Sequence, residues 1–439
     1  MSVWTYFGAL LLIFCGVYLS FKLRFYQVLG LKDIFSVTVS KLLKTKDFAG
    51  FKAMCLALGS TIGIGNIVGV SAAIILGGPG AIFWMLVSGF LGMIIKYAEV
   101  YICVDDALKA KRKNGGPMFV LRGVWGPFFA IIVILATVFA GNMMQSKAIF
   151  EFIIIGFDIT PIAVCLLTIP PLFLIVSGKD RLYQSFSSLF VPIVSLLYIA
   201  ATVIIIAVNF HNVPLALKLI FKSAFGFSSV GGGFSGAAIS AAVRNGMMKG
   251  LFTHEAGMGS APIAHASATV KEPHTQGAWG IIEVFIDTVI VCSLTALAIL
   301  SSPCYINGGF NDPFRLVLSV FSDVFGKLGL KSLSLFAFLF AFAAMVGWSF
   351  YGAKALEYFG AGNKLKKVYA VIFALAFPLS LFLPDNLIWS FTDIFNTLML
   401  LPNVIMIFCL ADRIVIMKGS FKNDLQPLPE KLRCIKNRN

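Results

Sequence analysis

Charge is scarce in this sequence. Of its 439 residues, 13% are Asp, Glu, Lys or Arg, about half of the roughly 25% that a soluble domain carries. Hydrophobic residues make up 59%, and the mean hydropathy is +0.91. That excludes a soluble enzyme, a disordered chain and an ordinary nucleic-acid binder. Cysteine pairs are missing too. The eight cysteines are scattered, mostly in apolar runs, with no CxxC; they read as small buried residues, not as a disulfide frame or a metal site. There is no GxSxG, HExxH or Walker motif, so no enzyme or ATP-driven pump is written here. The short alternating segments of an outer-membrane barrel are absent as well.

What is present is a series of long apolar runs, the mark of a polytopic α-helical membrane protein embedded in a lipid bilayer. Eleven spans are expected, at about 3–21, 52–76, 81–105, 122–155, 160–177, 183–209, 236–266, 276–302, 331–358, 366–384 and 388–411. The first run has no basic lead-in and no small-residue cleavage site, so it reads as a retained anchor. The net charge of +15 belongs to topology, not to nucleic acid. Segments on one side of the map hold 25 Lys and Arg, those on the other side 5. This bias places the N-terminus outside and the C-terminus inside. The outer loops are about 210–235 and 303–330; the second contains FRLVLSVFSDVFGKLG, which suits a short helix lying on the surface.

Two spans are interrupted. One contains GSTIGIGNIVGV (59–70) and the other KGLFTHEAGMGSAP (249–262). Glycine and proline at mid-membrane depth free backbone groups that lipid cannot satisfy, which is tolerated only against protein or a wet cavity. The breaks lie about 190 residues apart, and each is followed by four more spans. One anchor and two sets of five give an inverted repeat, with a binding site where the broken helices meet. The expected division is 1–50 N-terminal helix and linker, 51–210 first five-helix repeat, 211–235 outer loop, 236–412 second repeat and 413–439 tail.

Broken helices present N–H groups at one half-helix start and free carbonyls at the other half's end. Together these suit a small zwitterion travelling with a coupling ion. Asn66 follows the first break directly and is a candidate ligand for either; an interhelical hydrogen bond is the alternative. Gln145 and Lys147 lie in the fourth span. A charge at that depth is costly, so Lys147 either faces a wet cavity or snorkels to the interface. His254 and Glu255 sit in the second break, His254 as a group able to titrate near neutral pH. Lys96 and Glu99 have helical spacing for an ion pair near the inner interface. Glu283 and Asp287 are four apart and face the bundle interior. Trp348 is placed to wall a pocket.

The stretches GIGNIVGVSAAIILGGPGAIFWM (63–85), FTHEAGMGSAPIAHASA (252–268), QGAWGIIEVFIDT (276–288) and GWSFYGAKALEYFG (347–360) closely resemble the alanine or glycine:cation symporters. GNMMQS (141–146) and FTDIFNTLMLLPN (391–403) match as well, and the resemblance is collinear from about 50 to 412. It implies the two-repeat amino-acid transporter fold plus one helix, and sodium-coupled uptake of alanine or glycine across a cytoplasmic membrane. Carried over by motif, the amino-acid site would use Gly65, Asn66, Gln145, Phe252, backbone near Thr253, and Trp348. Carbonyls of Gly59 and Ile62 would hold the sodium ion.

The departures from that pattern concern the ion. Where the family usually has two threonines before the MVGW-type stretch, this chain has Ala343 and Ala344. The resemblance makes those threonines ion ligands, the second also near the substrate. Ile64 replaces a threonine, His254 an asparagine and Lys147 an asparagine. A proton-coupled or exchange-type carrier of a related amino acid, with Lys147 or His254 as the titrating group and Glu255 beside it, is therefore a second expectation. A non-transporting amino-acid sensor or a channel stands as a reading from another class. For topology, a fluorescent protein fused to the C-terminus is expected to fluoresce, and alkaline phosphatase at the same point to stay inactive; the reverse pattern would overturn the orientation.

Overall fold

The computed structural model describes residues 3–178, 180–226, 234–268 and 272–414. The described residues are helical, with no strand among them. Among the described residues, seven helices are long and apolar enough to cross a membrane. In chain order the crossings are α1 (Val3–Lys22), the broken pair α2 (Ala49–Thr61) and α3 (Val68–Gly77), α4 (Ala81–Lys109), α5 (Trp125–Phe157), α6 (Pro161–Val176) and α7 (Asp180–Val208). The second broken pair follows, α8 (Phe234–His254) and α9 (Ala261–Ala266). Then come α10 (Pro273–Ser301), α11 (Lys327–Tyr358), α12 (Asn363–Phe382) and α13 (Asp385–Arg413). Eleven crossings among the described residues match the hydropathy map, both interruptions included. The expected outer loop and tail fall partly and largely outside the described residues.

Burial sorts the helices into pillars and lipid-facing staves. The apolar stretch of α11 is 78% buried and that of α4 is 72%, against 33% for α7 and 39% for α12. Leu189, Leu196 and Leu197 on α7 and Ile372 and Leu375 on α12 are exposed, as side chains turned to acyl chains should be. The pillars approach their neighbours through small residues, the way membrane helices pack when burial in lipid gives no gain. A Cβ at Gly246 would fall on the carbonyl oxygen of Ala81, and one at Gly250 would stand 2.7 Å from Ser88 Cβ. Thus α8 lies in a groove of α4. On its other side α4 receives α10, where a Cβ at Gly277 would stand 2.8 Å from Tyr97.

The anchor helix α1 bridges two distant parts of the chain. A Cβ at Gly16 would meet Leu91 of α4 at 2.7 Å. Tyr18 packs against Phe408 of α13, the rings tilted with centroids 5.0 Å apart, and Lys22 Nζ reaches Asp412 at 2.5 Å. The connector after α1 is pinned to the start of α10. Tyr26 and His274 both bond the Asp33 carboxylate, at 2.7 and 3.0 Å, and Lys41 pairs with Glu272 at 2.8 Å. Bonds from Lys41 and Thr275 hold the Glu272 carboxyl below the usual carboxylate range.

One expectation needs correction. The outer-loop segment forms a helix, Pro313–Phe325, started by Asp312 accepting from Phe314 N–H at 3.0 Å. It does not lie free on the surface, because Leu316, Val317, Val320 and Phe321 form a continuous apolar face that buries into the bundle. Replacing Gly246 with alanine tests the α4–α8 contact. G246A is expected to cost about 1–3 kcal/mol by overpacking, read as a lower thermal midpoint of the purified protein, whereas alanine at Gly362, where a Cβ meets nothing within 4 Å, leaves the midpoint in place.

Candidate functional site

The two breaks face each other across a cavity of about 250 Å³, below the roughly 300–1,000 Å³ typical of drug-sized ligand pockets. Gly65 and Ile64 line it from the first break and Phe252 and Glu255 from the second, with Gln145 from α5 and Trp348 from α11. Five of the expected residues therefore meet there: Gly65, Gln145, Phe252, Glu255 and Trp348. Toward the face where α1 begins, the cavity is walled by Leu76, Pro313, Phe314 and Trp389, so the buried outer-loop helix forms part of its mouth.

The first break is built by side chains that replace the missing helix bonds. Ile62 N–H still reaches Leu58 O at 2.8 Å. The next N–H, Gly63, goes to Asn66 Oδ1 at 3.1 Å, and Ile64 N–H goes to Gln145 Oε1 at 3.3 Å. The Gly59 carbonyl thereby loses its helical partner. Asn66 is fully buried behind the cavity wall. Its Nδ2 donates to Asp287 Oδ1 at 2.8 Å and to the Asp287 carbonyl at 3.1 Å. It staples the break to α10, the interhelical role weighed above. Thr253 also lies behind the wall, bonded to Gly250 O at 2.7 Å, with its methyl 3.2 Å from where a Cβ of Gly65 would be. Ala344 faces Gly63, its Cβ 3.3 Å from the same virtual position there.

At the second break the backbone turns through left-handed conformations at Glu255, Gly257 and Gly259, with φ of 50°, 86° and 76°. Glycine takes such angles freely; glutamate is held there by its contacts. Trp348 Nε1 donates to Glu255 Oε1 at 3.0 Å and Ser260 Oγ donates to Oε2 at 2.8 Å. A half-helix start was expected to present free N–H groups, and at this break Gly257 and Gly259 stand just before α9. Instead both donate to Glu99 Oε2 at 3.1 Å, which also accepts Asn403 Nδ2 at 2.7 Å. The chain supplies its own anion here. Lys96 Nζ lies 3.2 Å from Glu283 and 3.9 Å from Glu99, and His265 Nε2 is 3.3 Å from Glu283. These four side chains are fully buried, so the pair expected near an interface is the centre of an internal network.

The remaining candidates stand apart from the cavity. Lys147 is not part of its lining; its ammonium meets Asp385 at 2.6 Å, where the carboxylate is 74% exposed. His254 Nδ1 accepts Ala256 N–H at 3.1 Å, so the ring proton is on Nε2, directed at Ser88 Oγ at 3.1 Å. Gly59 and Ala343 approach each other, the Ala343 carbonyl 3.9 Å from the Cβ position of Gly59. Ile62 follows in an extended conformation at the end of α2. Among the lining residues not singled out from the sequence are Ser60, Thr61, Lys249, Trp389 and Asn396. Lys249 Nζ lies 4.7 Å from the Trp389 ring centroid and 5.8 Å from that of Phe252, a cation–π cluster at the mouth. Its only signal was a basic residue three positions before Phe252 in an interrupted span.

The profile of the Sodium:alanine symporter family matches residues 1–431. The chain belongs to this family. Among its relatives, an uncharacterized transporter of Haemophilus influenzae is 34% identical over 414 residues, covering 91% of this chain and 90% of that one. A sodium/alanine symporter, AgcS, of Methanococcus maripaludis is 33% identical over 431 residues, covering 94% and 93%. A probable sodium/glutamine symporter, GlnT, of Bacillus subtilis is 32% identical over 419 residues, covering 93% and 86%. Of solved structures, MhsT with L-phenylalanine superposes with a TM-score of 0.55 at 18% identity, covering 82% of this chain and 88% of that one. A manganese transporter of Eremococcus coleocola gives 0.51 at 13%, covering 83% and 76%. These two share the transporter fold that the paired breaks announced.

Within this member of the sodium:alanine symporter family, loss of the Glu99 carboxylate strands partners at the second break, on α13 and on its own helix. E99A leaves two amide N–H groups, the Asn403 amide and part of the Lys96 charge uncompensated, at a cost of roughly 3–5 kcal/mol. Its thermal midpoint in detergent is expected to fall furthest, with E99Q, which keeps one acceptor oxygen, between it and the unmodified protein.

Proposed function

We propose that this protein is a secondary active transporter that carries small neutral amino acids such as alanine or glycine into the cell with a sodium ion, by alternating access. The observation that supports this most directly is the meeting of both helix breaks at one small cavity. The freed Gly59 carbonyl offers a cation site, and Gly65 with Gln145 offers polar contacts to a substrate head group. Phe252 and Trp348 close around its short side chain. Asn66 and Thr253 act from behind, by holding the break in shape. The AgcS and GlnT names add weight to sodium and to a neutral amino acid. The cytoplasmic membrane, with the N-terminus outside, is the setting this function needs.

The cavity mouth lies on the proposed outer side, while the Glu99–Asn403 contacts and the Lys96–Glu283–His265 group seal the inner half of the second break. Uptake then requires that seal to yield after the mouth closes. The proton-coupled alternative narrows to Glu255, the coupling candidate that lines the cavity; Lys147 and His254 would have to act through other groups.

The test is uptake of radiolabelled alanine and glycine into proteoliposomes under an inward sodium gradient or an inward proton gradient, imposed separately. Sodium-driven accumulation is expected. Accumulation with protons alone overturns the sodium reading, and absence of saturable counterflow overturns the carrier reading.

A further inference from the structure

Ser187 on α7 is buried, 1% exposed, and its hydroxyl has no hydrogen-bond partner. Serines inside helices ordinarily turn back to a carbonyl three or four residues earlier, and here Ser60, Ser71 and Ser349 do so. Ser187 does not. Other buried hydroxyls are unpaired too, Ser195 and Ser334 among them; what sets Ser187 apart is its place. Its Oγ and the carbonyl oxygen of Ala343 each lie 3.9 Å from the point a Cβ would occupy on Gly59. Gly59 is the residue whose own carbonyl is released because Gly63 N–H is taken by Asn66. Two oxygens, from α7 and α11, therefore approach the glycine whose own carbonyl has lost its helix partner. Val191, one turn beyond Ser187, would touch that Cβ at 2.9 Å, so any side chain at position 59 would push α7 away.

We infer that the Ser187 hydroxyl is a ligand of the transported cation, supplied by α7 where α11 carries Ala343 and Ala344 instead of hydroxyl-bearing residues. This rests on the sodium reading above and adds a third helix to its ion site. The chemistry is consistent: hard cations are held by oxygen, and a neutral hydroxyl beside carbonyls suits a monovalent ion that must also leave. It resolves the tension in the sequence, where two expected hydroxyls are missing.

The test follows the thermal midpoint of the full-length protein in detergent as sodium chloride replaces choline chloride at constant ionic strength. A ligand that binds the folded state raises the midpoint by mass action. For the unmodified protein a sodium-specific rise is expected. S187A, and S187C, which keeps the volume but offers a poor ligand for a hard ion, are expected to need at least about tenfold more sodium for the same rise. S187T, which keeps the hydroxyl, retains the response near that of the unmodified protein. A sodium response in S187A and S187C equal to that of the unmodified protein overturns the ligand role alone, provided sodium drives uptake. No sodium-specific rise in the unmodified protein, together with proton-driven uptake, overturns the ligand role and the sodium reading together.

Discussion

Backbone polar groups inside a bilayer have no water to turn to, and every feature of this protein's centre answers to that condition. Nine crossings meet it with unbroken or locally adjusted helix bonds. Two do not, and the groups they release at Gly59, Gly63, Gly257 and Gly259 must be satisfied by something else. At the first break the chain supplies amides, Asn66 and Gln145, and leaves a carbonyl over. At the second it supplies a carboxylate, Glu99, and leaves little over. The paired breaks are alike in sequence pattern and opposite in chemistry: the first is open to a visitor, the second is occupied by the protein itself.

That asymmetry shapes the surrounding electrostatics. A carboxylate at the start of α9 needs compensation, and Lys96 gives it from one turn away on α4. Lys96 then draws in Glu283, and Glu283 draws in His265. Each step adds a buried group that is unfavourable alone and acceptable in company. The network thus follows from the break as its consequence, and it explains why α4, which carries both Lys96 and Glu99, is among the most buried helices. Sodium:alanine symporter family membership and the shared transporter fold agree with a chain organised around those two interruptions.

Much of this was legible in the sequence. Eleven crossings, the positions of both breaks and the meeting of Gly65, Gln145, Phe252, Glu255 and Trp348 could be argued from hydropathy, glycine spacing and motif. Those signals are local, or repeat along the chain. What stayed hidden depends on contacts between distant segments. Asn66 could be placed beside a break but not against Asp287, 221 positions later. Glu99 could be paired with Lys96 by helical spacing, yet nothing in its neighbourhood announces that it reaches Gly257. Lys249 looked like one more basic residue within an interrupted span until α13 brought Trp389 beside it. The helix Pro313–Phe325 was legible as a helix; its docking was not, because amphipathicity fits a membrane surface and a protein groove equally well.

The anchor helix α1 stands outside both five-helix sets, yet it touches helices of each: α4 through Gly16 and Leu91, α13 through Tyr18, Phe408, Lys22 and Asp412, and α8 beside them. It works as a strap across the two halves. A strap of this kind removes one degree of freedom from the molecule, since α4 and α13 cannot separate without tearing it loose. Any rearrangement that parts α4 from α13 has first to undo the Gly16–Leu91 packing or the Tyr18–Phe408 and Lys22–Asp412 contacts.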